Sequence, residues 1–200
     1  IEETLSSKKI LASFFVTNQF AYADTIHKLF QLKRKGHFIG PHSGAHLLYC
    51  DWKKRDSLLI SNKEFEDDLA GNLHAIRSNS LAFSGSGYFL PPYEWYNDSI
   101  SKWSKEMGMQ LVNYTPGTLS HADYTLEKDK NFRSSEVIYN SIIDYEKSHL
   151  NGLNGFILLM HIGAGPDRKD KFYTYLPKLI DYLSSKGYHF QRIDELLKEY

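Results

Sequence analysis

Apolar positions along the chain follow two alternating rhythms. Short runs rich in β-branched and aromatic residues read as strands: 10–16, "HFIG" at 37–40, "SLAFSG" at 80–85, "MQLVNY" at 109–114, "GFILLMH" at 155–161 and "HFQRI" at 189–193. Between them, apolar residues recur every three or four positions, which predicts helices over 24–35, 63–77, 97–107, 134–148, 170–186 and 194–199. Gly36, Gly108 and Gly187 close three of these helices, and "NDS" and "SSEV" supply capping side chains at two starts. Pro177 marks a kink or a break inside the fifth. The opening "IEETLSSKKILASFF" reads as the last turns of a helix feeding a strand.

Such alternation implies a parallel sheet, either an open α/β sheet or a (β/α) barrel. Residues 1–200 read as one domain, since no repeat, linker or low-complexity tract interrupts the pattern. In both architectures ligands gather at the carboxyl ends of the strands. The chemically capable residues of this chain fall there too. "HFIG" runs into "PHSGAH", the next strand into "LPPYEW", "LVNY" into "TPGTLSHADY", and "GFILLM" into "HIGAG".

Composition narrows the choice of partners. Lys plus Arg and Asp plus Glu are 24 each, so a formal net charge of zero argues against nucleic acid and anionic membrane surfaces. Hydrophobic residues at 42% and charged residues at 24% suit an ordinary globular core. Aromatics reach 14%, which serves core packing and amphipathic surface tyrosines first, and a sugar-binding cleft second. The single cysteine, Cys50, excludes an internal disulfide. Apolar runs such as "GFILLM" are too short to span a bilayer. No signal peptide is visible, which does not by itself assign the chain to the cytoplasm.

Three candidate features carry chemistry, and two charge features read as structural. His42 and His46 are four residues apart, so a helical turn after Pro41 would face both imidazoles one way and let them share a divalent metal. Imidazole suits zinc first, and nickel, cobalt or iron as well. The alternative is a pair of surface or hydrogen-bonded core histidines. His161 ends an apolar strand, as either a satisfied core residue or a general acid/base, and Asp123 is a group that can orient it. "LPPYEW" offers backbone N–H groups for an oxyanion hole, or simply a proline-rich loop that packs aromatics. "DWKKRDS" reads as a solvated loop from which Trp52 can reach a groove, and "EFEDDL" as the acidic start of a helix.

Taken together, these segments resemble the polysaccharide deacetylase family, carbohydrate esterase family 4 with its NodB homology domain, and especially its divergent Bacteroidetes-type members. "ASFFVT" looks like the family's second strand, and "KGHFIGPHSGAH" is similar to the segment carrying its His-[Ser/Thr]-x-x-His motif. The resemblance implies a distorted (β/α) barrel that lacks its first strand in this chain. It implies His42 and His46 as metal ligands, with Ser43 bracing their loop. "LPPYEW" resembles the Arg-x-Pro-Tyr motif, so Tyr93 and Trp95 would contact substrate, Tyr93 also through an oxyanion-hole N–H. "HADY" resembles the Asp-Trp motif, so Asp123 would tune the catalytic histidine and Tyr124 would stand for the groove tryptophan. "ILLMH" resembles the last motif, with Leu159 lining the acetyl pocket and His161 as general acid. The implied reaction is metal-dependent hydrolysis of N-acetyl or O-acetyl groups on a poly- or oligosaccharide, by a protein exported to the periplasm or cell surface. Three departures bear on this. The family's Thr-Phe-Asp-Asp motif is expected upstream of Ile1, Leu90 stands where the motif has arginine, and Tyr124 stands where it has tryptophan. The alternatives are a carbohydrate-binding pseudoenzyme and a metal-dependent amide hydrolase acting on another substrate.

Overall fold

The computed structural model describes residues 1–22, 25–81, 87–162 and 164–199. The chain is α/β, and its contacts divide it into two compact units. One comprises Leu11–Asn113 with Gln191–Tyr200, the other Ile1–Ile10 with Tyr114–Phe190.

Among the described residues, every strand lies in the larger unit. β1 (Ser13–Val16) pairs in parallel with β2 (Phe38–Pro41), in register from Ser13 opposite Phe38 to Val16 opposite Pro41. β3 (Gly87–Phe89) pairs in parallel with β4 (Met109–Leu111). Just past β3, the Leu90 amide donates to the Pro41 carbonyl at 3.3 Å, so the end of β3 is tied to the end of β2. Three helices cross between these strands: α3 (Ile26–Arg34), α4 (Asn62–Ser78) and α5 (Asp98–Glu106). A short α2 (Asn18–Tyr22) follows β1 and was not foreseen. α4 opens on a capping box: Ser61 accepts from the Glu64 amide, and Glu64 accepts from the Ser61 amide. Phe65 and Leu69 of its inward stripe join Tyr49, Phe89 and Ile100 in the core, and Asn72, Ala75 and Ile76 lie buried on the same helix. The chain returns at α8 (Ile193–Leu196), where the Ile193 amide donates to Ser13 Oγ at 2.9 Å.

The second unit is helical. α1 (Glu2–Lys8), α6 (Ser135–Ser148) and α7 (Leu176–Ser185) surround a core of Ile138, Ile142, Leu153, Phe172, Leu179 and Leu183. The helix expected at 170–186 begins late. A 3-10 turn covers Phe172–Tyr175, and Pro177 sits in the first turn of α7. There its missing N–H removes no helical bond, so it starts the helix and does not kink it.

Two expected strands do not form. Residues 155–161 meet residue 115 through one backbone bond (Thr115 N–H to Ile157 O, 3.0 Å) and one side-chain bond (Ile157 N–H to Thr115 Oγ1, 3.0 Å). The ladder ends because Pro116 has no N–H to donate and Gly117 turns the chain away at φ +122°. Residues 189–193 pair with no strand, and the bond of Ile193 goes to a side chain, Ser13 Oγ. Of the strand expected at 80–85, residues 82–85 lie outside the described residues, and β3 starts at Gly87.

Candidate functional site

His42 and His46 belong to the loop that leaves β2. Their rings meet with centroids 4.9 Å apart and planes at 62°. They do not meet by the expected route, because 42–46 is not a helical turn. Ser43 (φ +72°) and His46 (φ +56°) both lie in the left-handed region. That conformation costs on the order of 1–3 kcal/mol per non-glycine residue and persists only where surrounding bonds over-determine it. The bonds are there. Buried Ser43 accepts the His46 amide on its Oγ at 2.9 Å. Asp68 Oδ1 takes the Ala45 amide at 2.7 Å, and Asp68 Oδ2 takes the Tyr49 hydroxyl at 2.8 Å. Burial and the Asp68 charge push that hydroxyl's pKa far above the ordinary tyrosine range, so it stays a donor. A Cβ on Gly44 would lie 2.9 Å from the Asp68 carbonyl oxygen, which keeps glycine at that position.

His42 is held from three sides. Its amide donates to the Val16 carbonyl at 3.0 Å and to Asn72 Oδ1 at 3.0 Å, and Asn72 Nδ2 donates onward to Asn18 Oδ1 at 2.9 Å. Its ring Nδ1 lies 2.8 Å from the Leu90 carbonyl oxygen. A carbonyl only accepts, so Nδ1 carries the proton and Nε2 carries the lone pair of the neutral ring. Leu90 itself, at the place of the expected motif arginine, is buried.

Aromatic rings continue from His46. Tyr93 lies 4.5 Å from it, centroid to centroid, and Trp52 lies 5.5 Å from Tyr93 and 5.8 Å from Trp95. Tyr93 and Glu94 have φ of +58° and +53°, so this proline-rich turn is strained as well.

In the other unit, Asp123 follows a 3-10 turn (Ser120–Ala122) and is 2% exposed. Both its oxygens serve one residue: Oδ2 accepts the His161 amide at 2.8 Å, and Oδ1 lies 2.7 Å from His161 Nδ1. The carboxylate thus fixes the Nδ1–H tautomer. Tyr124, half exposed, meets the His161 ring edge-on at 5.3 Å. Phe156, Leu158 and Met160 pack on the helical core, so the alternation of an extended chain turns Leu159 and His161 to the opposite side.

Three residues emerge that the sequence reading passed over. Asn72 and Asp68, four apart on α4, anchor the His42 loop. Their signal was an asparagine on an otherwise apolar helical stripe. His121 stacks on Tyr114 at 4.6 Å, and its buried Nδ1 has no hydrogen-bond partner. Burial, then the positive charge of His161, push its pKa down, against an opposing pull from Asp123.

Two imidazoles sharing one tetrahedral ion through nitrogens at about 2.0–2.1 Å put their ring centres roughly 5 Å apart, close to the separation found. The pair therefore fits two positions of a metal's shell. Among the described residues no group of three or more His, Cys, Asp or Glu side chains adds a further ligand. Among the same residues no helix is long and apolar enough to cross a membrane.

The α/β chain thus sets one pair of neighbouring histidines just after β2 and holds a third histidine by a buried carboxylate. The family model for polysaccharide deacetylase matches residues 1–112, more than half of the chain, and the chain belongs to that family. It is 29% identical over 199 residues to a peptidoglycan-N-acetylglucosamine deacetylase of Bacillus cereus, covering 98% of this chain and 79% of that one. Among solved structures, an acetyl xylan esterase of family 4 from Clostridium thermocellum, in complex with a cobalt ion, superposes with a TM-score of 0.73 at 19% identity. That match covers 99% of this chain and 82% of that one. A family 4 pseudoenzyme from Bacillus anthracis superposes with a TM-score of 0.69 at 19% identity, covering 98% of this chain and 58% of that one. The fold is thus the distorted α/β barrel type of carbohydrate esterase family 4.

Proposed function

We propose that this chain is a metal-dependent hydrolase that removes N-acetyl or O-acetyl groups from a poly- or oligosaccharide. The observation that carries the reading is the buried Asp123 spending both oxygens on His161. That arrangement is costly to build for a structural histidine and suited to one that must give up a proton from a fixed position. In the proposed reaction water adds to the acetyl carbonyl carbon and the C–N or C–O bond to the sugar breaks. His161 Nε2 protonates the departing amine or alcohol, acetate leaves, and the proton lost by the attacking water passes to solvent, from which the ring is protonated again. Asp123 keeps the ring in place and compensates its positive charge before the proton is given. His42 and His46 would hold a divalent metal, zinc first, and such an ion polarises a carbonyl and lowers the pKa of bound water. Tyr93, Trp95, Tyr124 and Leu159 would contact the sugar and the acetyl methyl. A location outside the cytoplasm, where acetylated wall polymers lie, belongs to the same proposal and is tested by fractionating the source cells.

The test is acetate release from acetylated chitin oligosaccharides and from acetylated xylan, before and after chelation and on adding zinc, nickel, cobalt or iron. Release that chelation stops and an added metal restores is expected. No release from either substrate with any of the four metals would overturn the proposal, and glycan binding that survives chelation would then point to a binding protein.

A further inference from the structure

Residues 51–57 form a self-bonded turn with an exposed tryptophan near its tip. The Asp51 carboxylate accepts the amides of Lys53 and Lys54 at 2.8 and 2.7 Å, and the Asp51 amide donates to the Ser57 carbonyl at 2.9 Å. The Asp51 carbonyl in turn accepts the Trp95 indole N–H at 3.2 Å. This backbone is pre-organised, yet Trp52 remains 54% exposed despite touching two other rings. A lone exposed apolar side chain needs no explanation, but here the indole extends a row that starts at His46 and passes through Tyr93, itself 44% exposed.

Beside the row is a depression of about 280 Å³ lined by Arg55, Asp56, Tyr96, Asn97 and Asp98. It is smaller than a drug-sized pocket, at about 300–1,000 Å³, and suits a single small ring. Arg55 joins the two features. Its guanidinium stands 4.2 Å over the Trp95 ring while its Nε donates to the Tyr96 carbonyl at 2.6 Å. Arg55, Asp56, Asp98 and Tyr96 bring charged and hydroxyl groups to the lining, while the Asn97 amide is engaged by the Arg55 carbonyl and the Ile100 amide. An anionic ligand would meet two carboxylates there. A neutral ring with an apolar face and a rim of hydroxyls matches both the indole and the lining.

We propose that Trp52, with the Arg55 depression, is a second sugar subsite. It would take a pyranose unit of the same polysaccharide, next to the unit being deacetylated. The proposal rests on the carbohydrate reading above. Its consequence is that long oligosaccharides bind more tightly than short ones, because only they reach Trp52.

The experiment titrates the intact protein with the N-acetylglucosamine pentamer and dimer and with an acetylated xylan pentamer and dimer, by calorimetry and tryptophan fluorescence. Acetate release is followed in parallel, and circular dichroism monitors the fold. A pentamer is expected to bind about tenfold more tightly than its dimer and to shift the emission to the blue. Trp52→Ala and Arg55→Ala should each lose most of that difference, and Trp52→Phe should keep the length preference without the emission shift. Acetate release with equal pentamer affinity in wild type and Trp52→Ala overturns the subsite and leaves the enzyme reading intact. Pentamer binding that depends on Trp52 without acetate release upholds the subsite and overturns the enzyme reading. No binding of any oligosaccharide and no release overturn both.

Discussion

His42 and His161 make the same bond through the same atom to different partners. Each ring is anchored at Nδ1, His42 on the Leu90 carbonyl at 2.8 Å and His161 on the Asp123 carboxylate at 2.7 Å. A carbonyl offers a dipole and no net charge. It fixes the tautomer and leaves Nε2 as a lone-pair donor, which is what a metal ligand needs. A carboxylate offers a full negative charge, so the ring can carry a proton on Nε2 without leaving its place, which is what a proton donor needs. The partner of the far nitrogen, and not the histidine, separates the two proposed roles.

Removing the rings should give the largest effects. His46→Ala and His42→Ala are expected to reduce acetate release more than about 10³-fold and to abolish zinc binding, read by calorimetry on the chelated protein. Full activity in either variant would end the metal assignment. His161→Ala should lower kcat by about 10²–10⁴-fold, the usual range for a lost general acid, while zinc binding is unchanged. A loss of zinc binding in that variant would erase the distinction between the two histidines. Asp123→Asn tests the charge itself, since it keeps a polar partner but removes the carboxylate. Its kcat should fall between wild type and His161→Ala.

Much of this was legible in the sequence, and the failures have identifiable causes. The helices α3 to α6 stand where periodicity puts them, because each buries one apolar stripe and carries its own start or stop signal, as with Asn97 accepting the Ile100 amide at 3.1 Å, whereas α7 begins late behind a 3-10 turn. The α/β class followed from the same alternation. Strands were overread at 155–161 and 189–193, since apolar runs report burial and not ladder partners. Nothing in "GFILLMH" itself says that Pro116 ends the pairing. At the candidate site, the spacing of His42 and His46 suggested neighbouring rings through a helical turn. The rings are neighbours, but through two left-handed residues held by Ser43 and Asp68. Such long-range bonds leave no local mark, so the loop's conformation was beyond a local reading.

The anchoring of His42 can be weakened without touching its ring. Asn72 is fully buried and bonds the His42 amide and Asn18. Asn72→Ala takes the donor from Asn18 Oδ1 and one of two acceptors from the His42 amide, which keeps the Val16 carbonyl, so unfolding free energy should drop by about 1–3 kcal/mol in urea titrations. Zinc affinity should fall by about 10–100-fold, as for other losses of groups that orient a ligand. A variant that loses stability but binds zinc as before would mean that the Leu90 carbonyl alone orients the ring.

The smallest effect concerns His121, which sits by the Asp123–His161 pair without a carboxylate or carbonyl partner of its own at Nδ1. Its pKa in the folded state lies below the unfolded value of 6.5, chiefly because burial disfavours the charged ring. Between the depressed folded pKa and 6.5 the unfolded chain therefore binds more protons than the folded one, and stability must fall as pH falls through that window. Above 6.5 the ring is neutral in both states and contributes no slope. His121→Phe keeps the stack on Tyr114 and removes both the titration and the unpaired nitrogen. The variant should match or exceed wild-type stability by up to about 1 kcal/mol at pH 8. Its advantage should widen as pH falls below 6.5, which urea midpoints measured at stepped pH would show. An advantage that shrinks toward acid would mean that the folded protein accommodates the charged ring, and the contrast with His161, whose carboxylate is built to do so, would disappear.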